Sequence, residues 1–199
     1  MRASEYLEKN LKLVTVLRVL TQIGFWLGVV LGSCFLILFA GSFLMNFDWR
    51  FMTKFLVYLE FGVLRYKLPL MAEALSVHEL LSIFRLICSV IVLNSTFSSL
   101  VFFYLKGILS AVEKGRPFVP GNARRLSLIG IVFLISSLLL TNLEAILVYT
   151  ILHAVNIAGM FSVSFTLNTI MLFAGLLLLI LSGIFRYGSY LQEEYDATL

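Results

Sequence analysis

The sequence predicts an all-α, polytopic integral membrane protein: four transmembrane helices in one bundle, with both termini cytoplasmic. Three observations carry that expectation. First, 60% of the 199 residues are hydrophobic and only 13% are charged, against about 45–50% and about 25% in soluble domains. Too few charges remain to cover a water-facing surface, so part of the solvent is lipid. Second, four apolar runs reach the length of about 20 residues that a span needs. Third, Lys and Arg divide unevenly between the two sets of connecting segments.

The first span is predicted over about 22–44, "QIGFWLGVVLGSCFLILFAGSFL". It exceeds the apolar stretch of about 7–15 residues typical of a cleaved signal. Its "LGSC" (Leu31–Cys34) has the look of a lipoprotein cleavage box, but "FLILFAGSFL" follows where a lipoprotein needs a polar tether. The second span is placed over about 84–105, with Arg85 at its edge. The third covers about 126–147, with room to reach His153, and the fourth covers about 167–185. The whole chain reads as one membrane domain, 1–199.

Orientation follows from the basic residues. Arg2, Lys9, Lys12 and Arg18 precede the first span, and Arg186 follows the last. Lys106, Lys114, Arg116, Arg124 and Arg125 lie in or beside the connector 106–125, which gives ten on one side. Arg50, Lys54, Arg65, Lys67 and Arg85 make five on the other, offset by Asp48, Glu60, Glu73 and Glu79. The richer side is predicted to be cytoplasmic. The net charge of +4 then reflects topology, and no direct nucleic-acid binding is expected.

The second helix has a readable start and stop. "SVHE" (Ser76–Glu79) is a capping box before an apolar run. No Pro or Gly interrupts the chain from there to Gly107, so one helix is predicted over about 77–114. At 1.5 Å per residue it measures about 57 Å and overshoots a hydrocarbon core of roughly 30 Å. Gly115 supplies a left-handed stop, Pro117 and Pro120 prevent a restart, and Asn122 caps the next helix. Arg124 and Arg125 then fall in a first helical turn, where they oppose the helix dipole. Helix stability is therefore not what placed them. Anionic head groups explain them, and an acidic partner is the sharper alternative.

Three pieces together resemble a known family: "EKGRPFVPGNARRLSLIG" (Glu113–Gly130), "IFRYGSYLQEEYDATL" (Ile184–Leu199), and two spans between them. They resemble the bacterial membrane proteins of domain-of-unknown-function family 2975. The pattern falls here on Gly115, Pro117, Phe118, Asn122, Arg125, Leu126, Ile129 and Gly130, then on Gly188, Leu191, Glu193, Glu194 and Asp196. The match covers the second half well and the first half by hydropathy alone; the loop 45–83 looks particular to this chain. The resemblance implies a multi-pass protein of the bacterial inner membrane, often encoded beside a small helix-turn-helix regulator. It brings no enzymatic activity.

Other features fall into packing and site candidates. Gly24, Gly28 and Gly32 share one helix face, which suits close helix packing inside the bundle or a homodimer. "NSTFSS" (Asn94–Ser99) lies mid-span and suits interhelical hydrogen bonding. Glu144, preceded by Thr141 and Asn142, is the one acid inside a predicted span. An intramembrane carboxylate is a site candidate by default, so Asn94, Ser95, Asn142 and Glu144 form a conceivable polar path for an ion or solute.

The loop 45–83 interleaves Phe47, Trp49, Phe51, Phe55, Tyr58, Phe61 and Tyr66 with basic residues, as an interfacial anchor does. The tail 186–199 carries Glu193, Glu194 and Asp196 on the same side as Arg116, Arg124 and Arg125. It is expected to pair with them, to lie solvated, or to dock a partner. Cys34 and Cys88 read as packed apolar residues. No metal-ligand spacing, Walker loop, HExxH or nucleophile elbow occurs, so no catalytic residue, metal or cofactor is expected.

The leading functional expectation is a non-enzymatic membrane protein that holds or modulates a cytoplasmic partner, with a small DNA-binding regulator as first candidate. The docking face is the connector (Gly115, Arg116, Pro117, Phe118, Asn122, Arg124, Arg125) together with Glu193, Glu194 and Asp196. Membrane lipids are the other expected contacts. The alternative is a transporter or channel component using Glu144 and the Asn94–Ser99 patch.

Overall fold

A computed structural model describes residues 3–44, 60–61, 64–65, 76–154, 162 and 164–197, with side chains over 12–44, 76–154, 162 and 164–195. Most of the predicted loop 45–83 and the side chain of Asp196 lie outside the described residues. Among the described residues the regular structure is helical apart from one two-stranded ladder. Helix α1 is Ala3–Leu44, α2 is Val77–Glu113, α3 is Pro120–Ala154 and α4 is Thr169–Ala197. Between α1 and α2, strands β1 (Glu60–Phe61) and β2 (Leu64–Arg65) form a minimal antiparallel ladder, Glu60 opposite Arg65 and Phe61 opposite Leu64. All four helices are long and apolar enough to cross a membrane.

Each helix runs past its predicted span. At 1.5 Å per residue the 42 residues of α1 measure about 63 Å and the 37 of α2 about 55 Å. The start and stop of α2 follow the expected chemistry. The Ser76 hydroxyl accepts from the Glu79 amide at 3.3 Å, and the Ser76 amide donates to the Glu79 carboxylate at 2.8 Å. At the other end Gly115 has φ 71. The Gly115 amide reaches the Val112 carbonyl and the Arg116 amide reaches the Ala111 carbonyl, both at 3.0 Å. Those two bonds are a Schellman stop. Ser76→Ala is expected to lower stability by about 1 kcal/mol, and Ser76→Asp to restore most of it. Thermal unfolding in detergent micelles checks both.

The start of α3 corrects one expectation. Asn122 is not the cap, because the helix already begins at Pro120. Proline is well placed there: its fixed φ suits a helix and its missing N–H is an orphan donor in any first turn. Asn122 is thereby freed to turn inward, and it is completely buried.

Packing is sequential among the described residues: α1 lies on α2, α2 on α3, and α3 on α4. Where α1 meets α2, Phe84 and Cys88 pack with Phe35 and Phe39. Where α2 meets α3 far from the connector, Leu80 and Ile83 pack with Leu147 and Ile151. At the connector end Ile108, Leu126 and Ile129 pack with Tyr104, Phe133, Leu178 and Phe185, bringing α2, α3 and α4 together. Cys88 is packed as expected, but Cys34 is exposed on α1. The outward faces of α1 and α4 are apolar, as at Leu27, Ile37, Phe173 and Leu177, which suits lipid.

The helices cross closely where small residues permit it. A Cβ on Gly130 would lie 2.9 Å from the Gly175 carbonyl oxygen, and one on Gly175 would lie 2.9 Å from that of Gly130. The Ser182 hydroxyl donates to the Ala123 carbonyl of α3 at 2.9 Å. The Asn168 amide donates to the Ser137 carbonyl at 3.0 Å. Helix α4 therefore begins beside the middle of α3 and runs past its start. Its N-terminus is held by the Asn168 side chain, which accepts from the Met171 amide at 3.0 Å.

Candidate functional site

The strongest concentration of built polar structure is the connector between α2 and α3. The Asn122 amide group donates to the Pro117 carbonyl at 2.9 Å, and its oxygen accepts from Arg125 at 2.8 Å. The same Arg125 nitrogen reaches the Gly107 carbonyl at 3.2 Å. Gly107 makes room for this, since a Cβ there would lie 2.7 Å from the Arg125 Nε. One buried asparagine and one arginine thus lace the turn to both helices.

Arg124, one residue away, is exposed, as are Lys114 and Arg116. Phe118 is 40% exposed on the outside of the turn, yet its ring lies 5.2 Å from that of Phe185 on α4. Gly188 sits under the Phe118 ring, where a Cβ would come within 2.8 Å of it. The expected ionic pairing of the tail is not present among the described residues: Glu193 and Glu194 are exposed and bridge none of Arg116, Arg124 or Arg125. Connector and tail meet through aromatic packing instead. The result is a hydrogen-bonded turn on or beside which Lys114, Arg116, Phe118 and Arg124 are exposed.

The same end is tied to α1. Arg18 pairs with Glu113 at 2.8 Å, and the Thr15 hydroxyl donates to the other oxygen of Glu113 at 2.8 Å. Glu113 is the last residue of α2, so the ion pair fixes α1 beside the connector. At the opposite end Arg85 donates to the Ser42 hydroxyl at 3.1 Å and to the Ser42 carbonyl at 2.9 Å. Its guanidinium lies 3.8 Å from the centre of the Phe43 ring. Arg85 therefore satisfies a terminal carbonyl of α1, where a cation also suits the dipole. The sequence gives no signal for these two ties, because their partners lie 43 and 98 residues apart.

The glycine stripe faces inward onto α2. Gly24 lies against Phe102, Gly28 against Ser99 and Gly32 against Ser95. No hydrogen bond joins any two of Asn94, Ser95, Asn142 and Glu144 among the described residues. Ser95 is buried against Gly32, and Asn94 is exposed on another face of α2. The Asn142 side chain and the Thr166 backbone exchange two hydrogen bonds, of 2.9 and 3.1 Å. Glu144 is exposed. His153 lies beside Tyr149, with ring centres 6.4 Å apart, and no group of three or more His, Cys, Asp or Glu among the described residues is placed to hold a metal.

Fold and site together define, among the described residues, four helices long and apolar enough to cross a membrane, with a hydrogen-bonded basic connector at one end. The family model described as "Protein of unknown function (DUF2975)" matches residues 7–199, essentially the whole chain, and the chain belongs to that family. No curated protein and no solved structure matches it.

Proposed function

We propose that this is a non-enzymatic protein of the bacterial inner membrane, with both termini in the cytoplasm, that holds a cytoplasmic partner on its connector. The first candidate is a small helix-turn-helix regulator, whose binding to DNA would change with its tethering. The orientation rests on the ten basic residues of the connector side against five on the other.

One observation carries the docking role: adjacent arginines do different work. Arg125 is consumed by the fold, whereas Arg124, Arg116 and Lys114 stand exposed, as does Phe118, in and beside a turn held by partly buried hydrogen bonds. Holding three like charges on a preorganised surface has no benefit for the fold itself. An exposed aromatic side chain flanked in sequence by exposed cations matches a complementary acidic surface with an apolar pocket. Exposed Glu193 and Glu194 on α4 supply an acidic flank that restricts which partner fits.

The test is co-purification from native membranes with the full-length protein as bait. Arg116→Glu with Arg124→Glu is expected to reduce capture of a soluble protein by at least about tenfold while unfolding behaviour stays that of wild type. Capture that survives charge reversal at both positions would refute the docking face.

A further inference from the structure

Asn94 occupies an unusual position for an amide. It lies at the midpoint of the apolar run 84–105 and is exposed on α2. Its oxygen accepts from the Ser98 hydroxyl at 3.4 Å, and its nitrogen donates to no described residue. Two apolar crevices flank it. One, of about 580 Å³, includes Leu27, Leu31 and Val90; the other, of about 160 Å³, includes Phe97, Val101 and Leu140. Lipid tails offer such a group nothing, and an amide facing hydrocarbon is drawn to any acceptor that another helix brings.

The stripe of Gly24, Gly28 and Gly32 does not provide the surface for that helix, because α2 already covers it. The face bearing Asn94 is left open; the face bearing Leu100 and Phe103 is open too, but apolar. We propose that it binds a second copy of this chain, α2 against α2 across a two-fold axis, with the two Asn94 amides facing each other. A carboxamide carries both donor and acceptor, so it is its own complement. A two-fold axis places the same residue opposite itself, and each nitrogen then donates to the partner's oxygen. The apolar residues on either side close around the pair and exclude lipid. This pairing is independent of the connector and of any cytoplasmic partner.

The experiment uses full-length protein carrying donor or acceptor fluorophores on the tail, reconstituted together in phospholipid vesicles. Energy transfer is followed as the protein is diluted with lipid. Wild type is expected to retain transfer on dilution. Asn94→Val is expected to weaken association at least about tenfold, and Asn94→Gln, which keeps the amide, to retain most of it. Asn94 makes no hydrogen bond to another helix, so Asn94→Val is expected to leave the unfolding midpoint of the monomer in place. Absence of transfer in wild type, or transfer unchanged by Asn94→Val, would overturn the proposal.

Discussion

Gly130→Val is expected to force α4 away from α3. The two helices meet at Gly130 and Gly175, where any Cβ would lie 2.9 Å from the opposite carbonyl oxygen. The obstacle is backbone, so no side chain swings aside to relieve it. Overpacking typically costs about 1–3 kcal/mol, and a rigid crossing belongs at the upper end. The damage spreads, because separation also breaks the Ser182 bond to the Ala123 carbonyl and uncovers Phe185 in the cluster beneath the connector. The expected result is a lower unfolding midpoint in micelles and faster proteolysis of α4. Gly183, with nothing within 4 Å of its Cβ position, is the control. Gly183→Ala is expected to be neutral or mildly stabilising, since alanine favours helix by up to about 1 kcal/mol.

Arg125→Ala is the second large effect. Removing the guanidinium takes a partner from Asn122, which is completely buried, and from the Gly107 carbonyl. Leaving a buried polar group unsatisfied costs about 1–3 kcal/mol. Arg124→Ala, one position earlier, is exposed and is expected to stay within about 0.5 kcal/mol of wild type. Gly107→Ala is expected to act like Arg125→Ala, because its new methyl group displaces the arginine. Limited proteolysis of the connector and thermal unfolding read all three. Equal effects at 124 and 125 would contradict the division of roles.

What was legible in the sequence was local. The Ser76–Glu79 box and the Gly115 stop each depend on a few neighbouring residues, and both appear as expected. The four apolar runs were legible because bilayer thickness sets their length. The rest depended on which helix lies against which residue. Asn122 has the right chemistry for a cap, but Pro120 starts the helix and Pro117 offers the asparagine a carbonyl. Arg124 and Arg125 are indistinguishable in a string of letters; Gly107 on α2 separates them. Asn168 caps α4, a role that the predicted span 167–185 does not assign to it. Its pairing with Ser137, which sets α4 against the middle of α3, was not local at all.

The most direct measurement places a photo-activated crosslinking residue at position 124 or at 125 of the full-length protein in its native membrane. The account predicts that position 124 captures a soluble cytoplasmic protein and that position 125 captures Gly107 and its neighbours within the chain. Capture of lipid alone at position 124, or of the same soluble protein equally at both positions, would contradict it.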